Sequence, residues 1–229
     1  MRVNYLANTE ENKVDHYELT CEKWRTIFLE MEQEKIIEQF GLEADAGALY
    51  IIYFGQKYRI DRKNGMITLA DDPEERLAFN TLISIYNLFY YAKPNAEVSG
   101  EFVPFRHVKR AAPFDPAFQR TVLKPLAKTF EGKGELLEKA CMALHGTPIP
   151  QGDVGYVIPA FDCMPLTVIF WDGDEEFEAQ ANILFDADIT EFIHEETVVC
   201  IASDLVRRLA EEAGLKERGS LMGNDIRRK

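Results

Sequence analysis

The chain has 229 residues, of which 46% are hydrophobic and 28% are charged, as in ordinary globular proteins. Its formal net charge is -13 at pH 7. No apolar run approaches the roughly 20 residues that a membrane helix needs, and the first residues lack the apolar segment of a secretory signal. We therefore expect a cytoplasmic protein that does not span a membrane.

The excess of negative charge is confined to one segment. Between Lys139 and Arg207 there is no Lys or Arg, but there are 13 acidic residues. The remaining acidic residues are matched in number by the 26 basic residues of the chain. Such a segment disfavours nucleic-acid binding, which needs a basic surface, and favours a cation or a basic partner. The alternative is that the basic N-terminal half folds over it.

The four cysteines are widely spaced, at positions 21, 141, 163 and 200. Zinc and iron–sulfur sites usually contain close cysteine pairs, and cytosolic proteins rarely contain disulfides. Cys21 and Cys141 fall on apolar faces of predicted helices, so we expect both to be buried and unreactive.

The N-terminal part is predicted to contain helices followed by a β-meander. Apolar residues from Val14 to Met31 recur at spacings of three and four, which indicates one face of a helix. A shorter helix, "IIEQF", should end at Gly41. The runs "LYIIYF", "KYRID" and "MITLA" are typical of strands, and Asn64-Gly65 is typical of a hairpin turn.

The middle of the chain is predicted to be mostly helical. Asp72-Pro73 is typical of a helix start, and the apolar run "RLAFNTLISIYNLFYYA" indicates a buried helix. After an irregular stretch at 99–113, another helix should begin at Asp115, and Pro125 should kink it. The segment "ELLEKACMALHG" predicts one more helix.

The C-terminal third returns to β structure. "GYVIPAF" and "PLTVIFW" are apolar on both faces, which predicts central strands, and a last helix should run over about 195–213. We therefore predict a single α+β domain over residues 1–214 with a loose polar tail at 215–229. A mixed, mainly antiparallel sheet would combine the meander (49–69) with the central strands (154–171), packed by about five or six helices.

The acidic stretch "IFWDGDEEFEAQANILFDADITEFIHEE" follows the second central strand. Asp172-Gly173 is typical of a two-residue hairpin turn, and the alternation in "EFEAQA" indicates a half-exposed strand with Phe177 facing inward. Like charges about 4 Å apart repel by roughly 1 kcal/mol even in water. The crowded carboxylates at 172–175 therefore require basic side chains, backbone N–H groups or a cation nearby.

Known acidic motifs fit this stretch poorly. An EF-hand loop beginning at Asp172 would need Gly and Glu where the sequence has Phe177 and Ile183. "ILFDADIT" is similar to the start of phosphatases in which Asp186 would attack phosphorus and Asp188 would act as acid and base. Only 41 residues follow Asp188, which is too few for the rest of such a domain.

The segments "SGEFVPFR", "GDVGYVIPAF" and "PLTVIFWDGDEEFEAQANILFDADITEFIHEE" resemble the family called domain of unknown function 3786. The similarity runs from about Tyr17 to Leu209, and the words "WDGDEEF" and "LFD" are its most specific parts. Members are found largely in anaerobic bacteria and archaea, and some are similar to fusions with a cysteine-rich iron–sulfur segment that has no counterpart here. The resemblance implies one integral domain and, by analogy, a link to anaerobic redox or one-carbon metabolism.

Two kinds of function remain open. The first is a ligand- or partner-binding accessory module. Its acidic turn (172–176), with Trp171, Asp174 and Glu175, would dock a basic protein partner or a cation. Its basic loop (105–110), with Arg106 and His107, would hold an anionic group of a partner or small-molecule ligand. That loop could instead be solvated, or could supply the counter-charge of the acidic turn.

The second kind of function is a divalent-metal-dependent, hydrolase-like enzyme. Asp174, Glu175 and Asp186 would then bind a hard cation such as magnesium, calcium or manganese. Such a divalent cation is the one cofactor that the sequence indicates.

Overall fold

The computed structural model describes residues 11–216, with side chains from residue 16 onward. The chain begins with two helices, α1 (Glu11–Glu30) and α2 (Gln33–Phe40). The predicted apolar face of α1 is confirmed, because Phe28 is buried and Trp24 packs against the core. Helix α2 ends as predicted at Gly41, whose φ of 60° lies in the left-handed region that glycine adopts most readily.

The predicted meander is confirmed as an antiparallel sheet. Its strands lie in chain order and are β1 (Glu43–Ala44), β2 (Ala48–Tyr53), β3 (Gln56–Asp61) and β4 (Ile67–Leu69). The turn around Asn64-Gly65 is longer than the predicted two residues. The N–H of Asp61 donates to the carbonyl of Met66 at 2.9 Å, and the Asn64 side chain accepts from the Met66 N–H.

Helix α3 (Phe79–Tyr91) is buried on most of its surface, as its composition predicts. The predicted start at Asp72-Pro73 is wrong, since residues 73–78 form turns and extended chain before the helix begins. In this segment Arg76 pairs with Glu18 on α1, and Ala78, directly before the helix, is extended with a ψ of 148°.

The segment after α3 contains a short strand and a broken helix. Strand β5 (Phe102–Pro104) precedes α4 (Asp115–Phe118), a π-helical turn (Gln119–Leu123), α5 (Lys124–Phe130) and α6 (Gly134–Ala143). Pro125 lacks an N–H group and its ring clashes with the preceding turn of an α-helix, so the wider π-turn before it accommodates the ring. The irregularity predicted at Pro125 is therefore present as a π-turn.

The C-terminal third forms a second antiparallel sheet and the last helix. The new elements are β6 (Thr147–Pro148), β7 (Val154–Phe161), β8 (Met164–Trp171), β9 (Gln180–Asp186) and α7 (Glu195–Glu212). The sheet order is β5-β9-β8-β7-β6. The predicted α+β class is confirmed, but the meander and the central strands form two sheets rather than one. The sheets meet where the Phe54 N–H donates to the carbonyl of Ala160 at 2.8 Å.

One continuous cluster of buried hydrophobic side chains includes both sheets and the helices. Helix α7 contributes its predicted inward face, but Arg208 near its end is also buried, at 5% exposure, rather than solvated. The extent of the domain (1–214) stays a prediction, and residues 217–229 of the predicted tail lie outside the described part. Within residues 11–216, none of the helices has the length and apolarity needed to cross a membrane.

Candidate functional site

The acidic loop, residues 172–179, connects β8 to β9 and contains Asp174 and Glu175 of the predicted site. Trp171 at the end of β8 pairs with Gln180 at the start of β9, so eight residues lie between the two strands. The predicted two-residue turn at Asp172-Gly173 is therefore wrong, and the strand predicted in "EFEAQA" begins only at Gln180. Phe177, expected to face inward, is 65% exposed.

Asp172 ties the base of the acidic loop to its neighbours. Its Oδ1 accepts hydrogen bonds from the N–H of Gly132 at 2.7 Å and from the N–H of Gly173 at 2.9 Å. Its own N–H donates to Oδ2 of Asp153 at 2.7 Å. Gly132 lies between α5 and α6, and Asp153 directly precedes β7. These long-range contacts hold the chain open and replace the tight hairpin.

Asp174 shapes the tip of the loop. Its Oδ1 accepts from the N–H groups of Glu176 and Phe177 at 2.8 Å each, and its N–H donates to the carbonyl of Phe177 at 2.9 Å. The bonds from Glu176 and then Phe177 lower the pKa of the Asp174 carboxyl. Backbone N–H groups therefore compensate the charges of Asp172 and Asp174, two of the crowded carboxylates of the sequence.

The remaining charges of the acidic loop face solvent. Glu175, Glu176 and Glu178 are exposed, and none of them forms an ion pair with another described residue. Beside them, Trp171 is 43% exposed in addition to Phe177. The loop thus presents three free carboxylates and two aromatic side chains on a backbone with fixed internal hydrogen bonds.

The basic loop (105–110) follows β5, the strand at one edge of the second sheet. Pro104 pairs with Leu184 and the ring of Phe105 lies 6.0 Å from that of Phe185, so the loop begins beside the half of β9 that ends at Asp186. Phe105 anchors the segment by stacking on Phe118 at 4.2 Å between ring centroids. Arg106 and His107 are exposed in the 3-10 turn that follows.

No ion pair between described residues joins the basic loop to the acidic loop, so direct pairing of the two is absent from this structure. Three further basic side chains are exposed on the helical segment after the basic loop. They are Arg120 in the π-turn and Lys124 and Lys128 in α5, spaced four residues apart. They were not among the predicted site residues, although their spacing is visible in the sequence.

Asp186 lies at the other end of β9 from the acidic loop. A seven-residue strand spans about 20 Å, so the structure does not bring Asp174 and Glu175 together with Asp186. In addition, within residues 16–216 no group of three or more His, Cys, Asp or Glu side chains is arranged to hold a metal ion.

The carboxylate of Asp186 is 2% exposed and is occupied by hydrogen bonds from the chain. It accepts from the N–H and hydroxyl of Ser99 at 3.0 Å each, from the N–H of Gly100 at 2.7 Å and from the N–H of Asp188 at 2.9 Å. Burial raises the pKa of Asp186, but these hydrogen bonds outweigh it and the pKa lies below its ordinary value. Its evident role is to hold residues 99–101 against the end of β9.

A buried polar cluster between α7, α3 and the first sheet was also not predicted from the sequence. It consists of Asp204 and Arg208 on α7, Tyr53 and Tyr58 on the first sheet, and Thr81 on α3. Arg208 donates to the hydroxyl of Tyr58 at 2.6 Å and lies over the ring of Tyr53 at 5.1 Å. The sequence signal was a charged pair spaced four residues apart on an otherwise apolar helix face.

The cysteines carry no sign of reactivity. All four are free, Cys141 is fully buried and Cys21 is half-buried. Burial, followed by the neighbouring carboxylates Glu138 and Glu18, raises the pKa of Cys141 to about 12 and that of Cys21 to about 11. A raised pKa suppresses the reactive thiolate.

Comparison with known proteins identifies a family but no activity. No curated protein and no solved structure matches the chain significantly. One family model, described as a domain of unknown function, matches residues 32–208, which leaves out α1 and covers both sheets, the acidic loop and the basic loop. Because this match covers most of the sequence, the chain belongs to the family DUF3786.

Proposed function

We propose that the protein is an accessory binding module whose acidic loop docks on a basic surface of a partner protein. The observation that carries this proposal is the set of exposed carboxylates at Glu175, Glu176 and Glu178, which lack a counter-charge among the described residues. They stand beside the exposed rings of Trp171 and Phe177.

This combination suits protein recognition better than small-ligand binding. Aromatic side chains, Trp above all, supply much of the binding energy at protein interfaces, while charges at the rim steer encounter and select partners. The bonds that Asp172 and Asp174 make with backbone N–H groups already order the loop, which lowers the entropy lost on binding.

The basic loop is the proposed second contact of the module. Arg106 and His107 are exposed directly after β5, and Arg120, Lys124 and Lys128 are exposed on the helical segment that follows. A partner that places an anionic group opposite these basic side chains would be bound at two points, and its orientation would thereby be fixed. The link to anaerobic redox or one-carbon metabolism that the family resemblance implies concerns the identity of that partner and stays a prediction.

A titration with a tryptophan-free peptide rich in Lys and Arg tests the acidic loop. The chain has two tryptophans, so the Trp24→Phe protein reports on Trp171 alone. We expect a saturable change in its fluorescence, with affinity about tenfold lower in Glu175→Gln/Glu176→Gln/Glu178→Gln, since three rim ion pairs contribute roughly 0.5 kcal/mol each.

The matched control removes three exposed charges elsewhere, at Asp72, Glu74 and Glu75. Asp72→Asn/Glu74→Gln/Glu75→Gln should bind the peptide almost as tightly as the parent. An equal loss of affinity in the two triple variants would mean that the peptide is attracted only by the net charge of -13. That result would refute docking at the loop.

A further inference from the structure

A second aromatic surface lies away from the acidic loop, where three helices converge. Trp24 of α1 meets Tyr90 and Tyr91 at the end of α3, with ring centroids 5.2 and 5.9 Å away. Tyr90 and Tyr91 are themselves edge to face at 4.9 Å, and His194, the N-cap of α7, lies 5.2 Å from Tyr91. We call these four residues the aromatic platform.

The aromatic platform is open to solvent. Tyr90 is 51% exposed and Tyr91 is 36% exposed, although both belong to a helix that is otherwise largely buried. Large apolar rings clustered on a surface are unusual in the absence of a binding role. Trp24 is only half-buried, so its ring also contributes to the surface.

The surroundings of the platform are negative. Glu195 and Glu196, the first two residues of α7, directly follow His194, whose ring lies 5.2 Å from that of Tyr91. Burial, then the neighbouring Tyr90 and these two carboxylates, raise the pKa of Tyr91.

No cation of the described chain occupies the platform. The cation–π contacts among residues 16–216 involve Lys57 and Arg208, which lie over rings of the meander and its turn. Lys93 follows α3 directly, but its ammonium group pairs with Glu191. The Nε2 atom of His194 lies 3.7 Å from Oε2 of Glu195. No Lys or Arg among the described residues pairs with Glu195 or Glu196 or lies over the rings of the platform.

We propose that the aromatic platform binds an organic cation, specifically an ammonium group that carries alkyl substituents. Such a cation is attracted by the faces of Trp and Tyr rings, and its alkyl groups are weakly hydrated, so contact with the rings displaces little bound water. A small inorganic cation would need oxygen ligands in number, which rings do not offer. The same chemistry occurs in free alkylammonium compounds and in methylated lysine side chains.

The test compares choline with its neutral isostere 3,3-dimethylbutan-1-ol, which has the same shape without the charge. The Trp171→Phe protein reports on Trp24 alone. We expect choline to change Trp24 fluorescence saturably and to bind about two- to fivefold more tightly than the neutral alcohol, as expected of cation–π contacts at partly exposed sites. The Tyr90→Leu variant should lose this preference, and Tyr90→Phe, which keeps a ring, should largely retain it.

A further arm uses a short peptide with trimethyl-lysine and the same peptide with unmodified lysine. Stronger binding of the trimethylated peptide than of choline would identify the source as a protein side chain, and the reverse order would identify a free small molecule. Equal binding of choline and the alcohol, or no saturable response to any of the cations, would overturn the proposal. Because Tyr90 is half-exposed, the circular dichroism of Tyr90→Leu should match that of the parent protein.

Discussion

The hydroxyl of Tyr53 donates a hydrogen bond to Oδ2 of Asp204 at 3.2 Å, although 151 positions separate the two residues in the chain. The same oxygen accepts from the hydroxyl of Thr81 at 2.7 Å, so one fully buried carboxylate joins the first sheet, α3 and α7. Arg207 and Arg208 lie beside it and supply positive charge. This contact fixes the last helix against the meander.

Removal of the Asp204 carboxylate should be strongly destabilising. Asp204→Ala leaves two buried hydroxyls without this acceptor and removes the buried one of the two carboxylates that pair with Arg207, which we expect to lower the free energy of unfolding by roughly 3–5 kcal/mol. Urea denaturation measures the change. Glu211→Ala is the control, because Glu211 also pairs with Arg207 but is 46% exposed. It should cost about 0–1 kcal/mol, and a similar loss in both variants would contradict the structural role of Asp204.

The hydrogen bonds of Asp186 predict a dependence of stability on acid. Because the folded-state pKa of Asp186 is lowered, its contribution is complete above the unfolded-state pKa of about 3.9 and is lost as the pH falls through the folded-state value. The difference in unfolding free energy between the parent and Asp186→Asn should therefore be largest near neutral pH and should shrink below about pH 4. Asp188→Asn, at an exposed neighbouring carboxylate, should show little difference at any pH, and a constant difference for Asp186→Asn would refute this role.

The hypothesis of a metal-dependent enzyme predicts that divalent ions raise the melting temperature. From the positions of the proposed ligands we expect no such rise. Both oxygens of Asp186 already accept hydrogen bonds, and Asp174 and Glu175 lie at the far end of β9. Millimolar magnesium, calcium or manganese should leave the melting temperature unchanged. A rise that depends on metal concentration and disappears in Glu175→Gln would favour the metal hypothesis instead.

The shape of the acidic loop, and not its charge alone, should determine docking. A Cβ atom at Gly173 would lie 2.9 Å from the N atom of Ala179 and 3.1 Å from the carbonyl oxygen of Phe177, both of them backbone atoms. Gly173→Ala should therefore distort the loop without a change in net charge, and we expect the affinity for the basic peptide to fall severalfold. An unchanged affinity would mean that charge alone accounts for the binding.

The local patterns of the sequence account for much of the fold. The β-branched runs and turn residues predicted the meander, and the uninterrupted apolar runs predicted β7 and β8. These predictions succeeded because propensity and burial agree within each of those segments. The start of α3 was not predictable in this way, since the typical start at Asp72-Pro73 is followed by turns and the extended Ala78 precedes the helix.

The site depended on contacts between residues far apart in the chain. Period-two alternation predicted a strand through Phe177, but Asp172 bonds the N–H of Gly132, 40 residues earlier, and holds the loop open. Similarly, the spacing of Asp204 and Arg208 indicates one helix face, whereas their partners Tyr53 and Tyr58 come from the opposite end of the chain. The crowded acidic residues at 172–175 correctly predicted that nearby groups must offset their repulsion, and backbone N–H groups do so for Asp172 and Asp174.

The most direct test of docking by the acidic loop is photo-crosslinking from position 177 in the protein's native cell extract. A photoreactive phenylalanine analogue replaces Phe177, and in a control protein it replaces Glu74, which lies in the exposed acidic segment at 71–75. We expect position 177 to capture a protein through a segment rich in Lys and Arg. That capture should be lost in Glu175→Gln/Glu176→Gln/Glu178→Gln and absent from position 74. Capture of the same proteins from both positions, or capture that survives neutralisation of the loop, would contradict the proposed function.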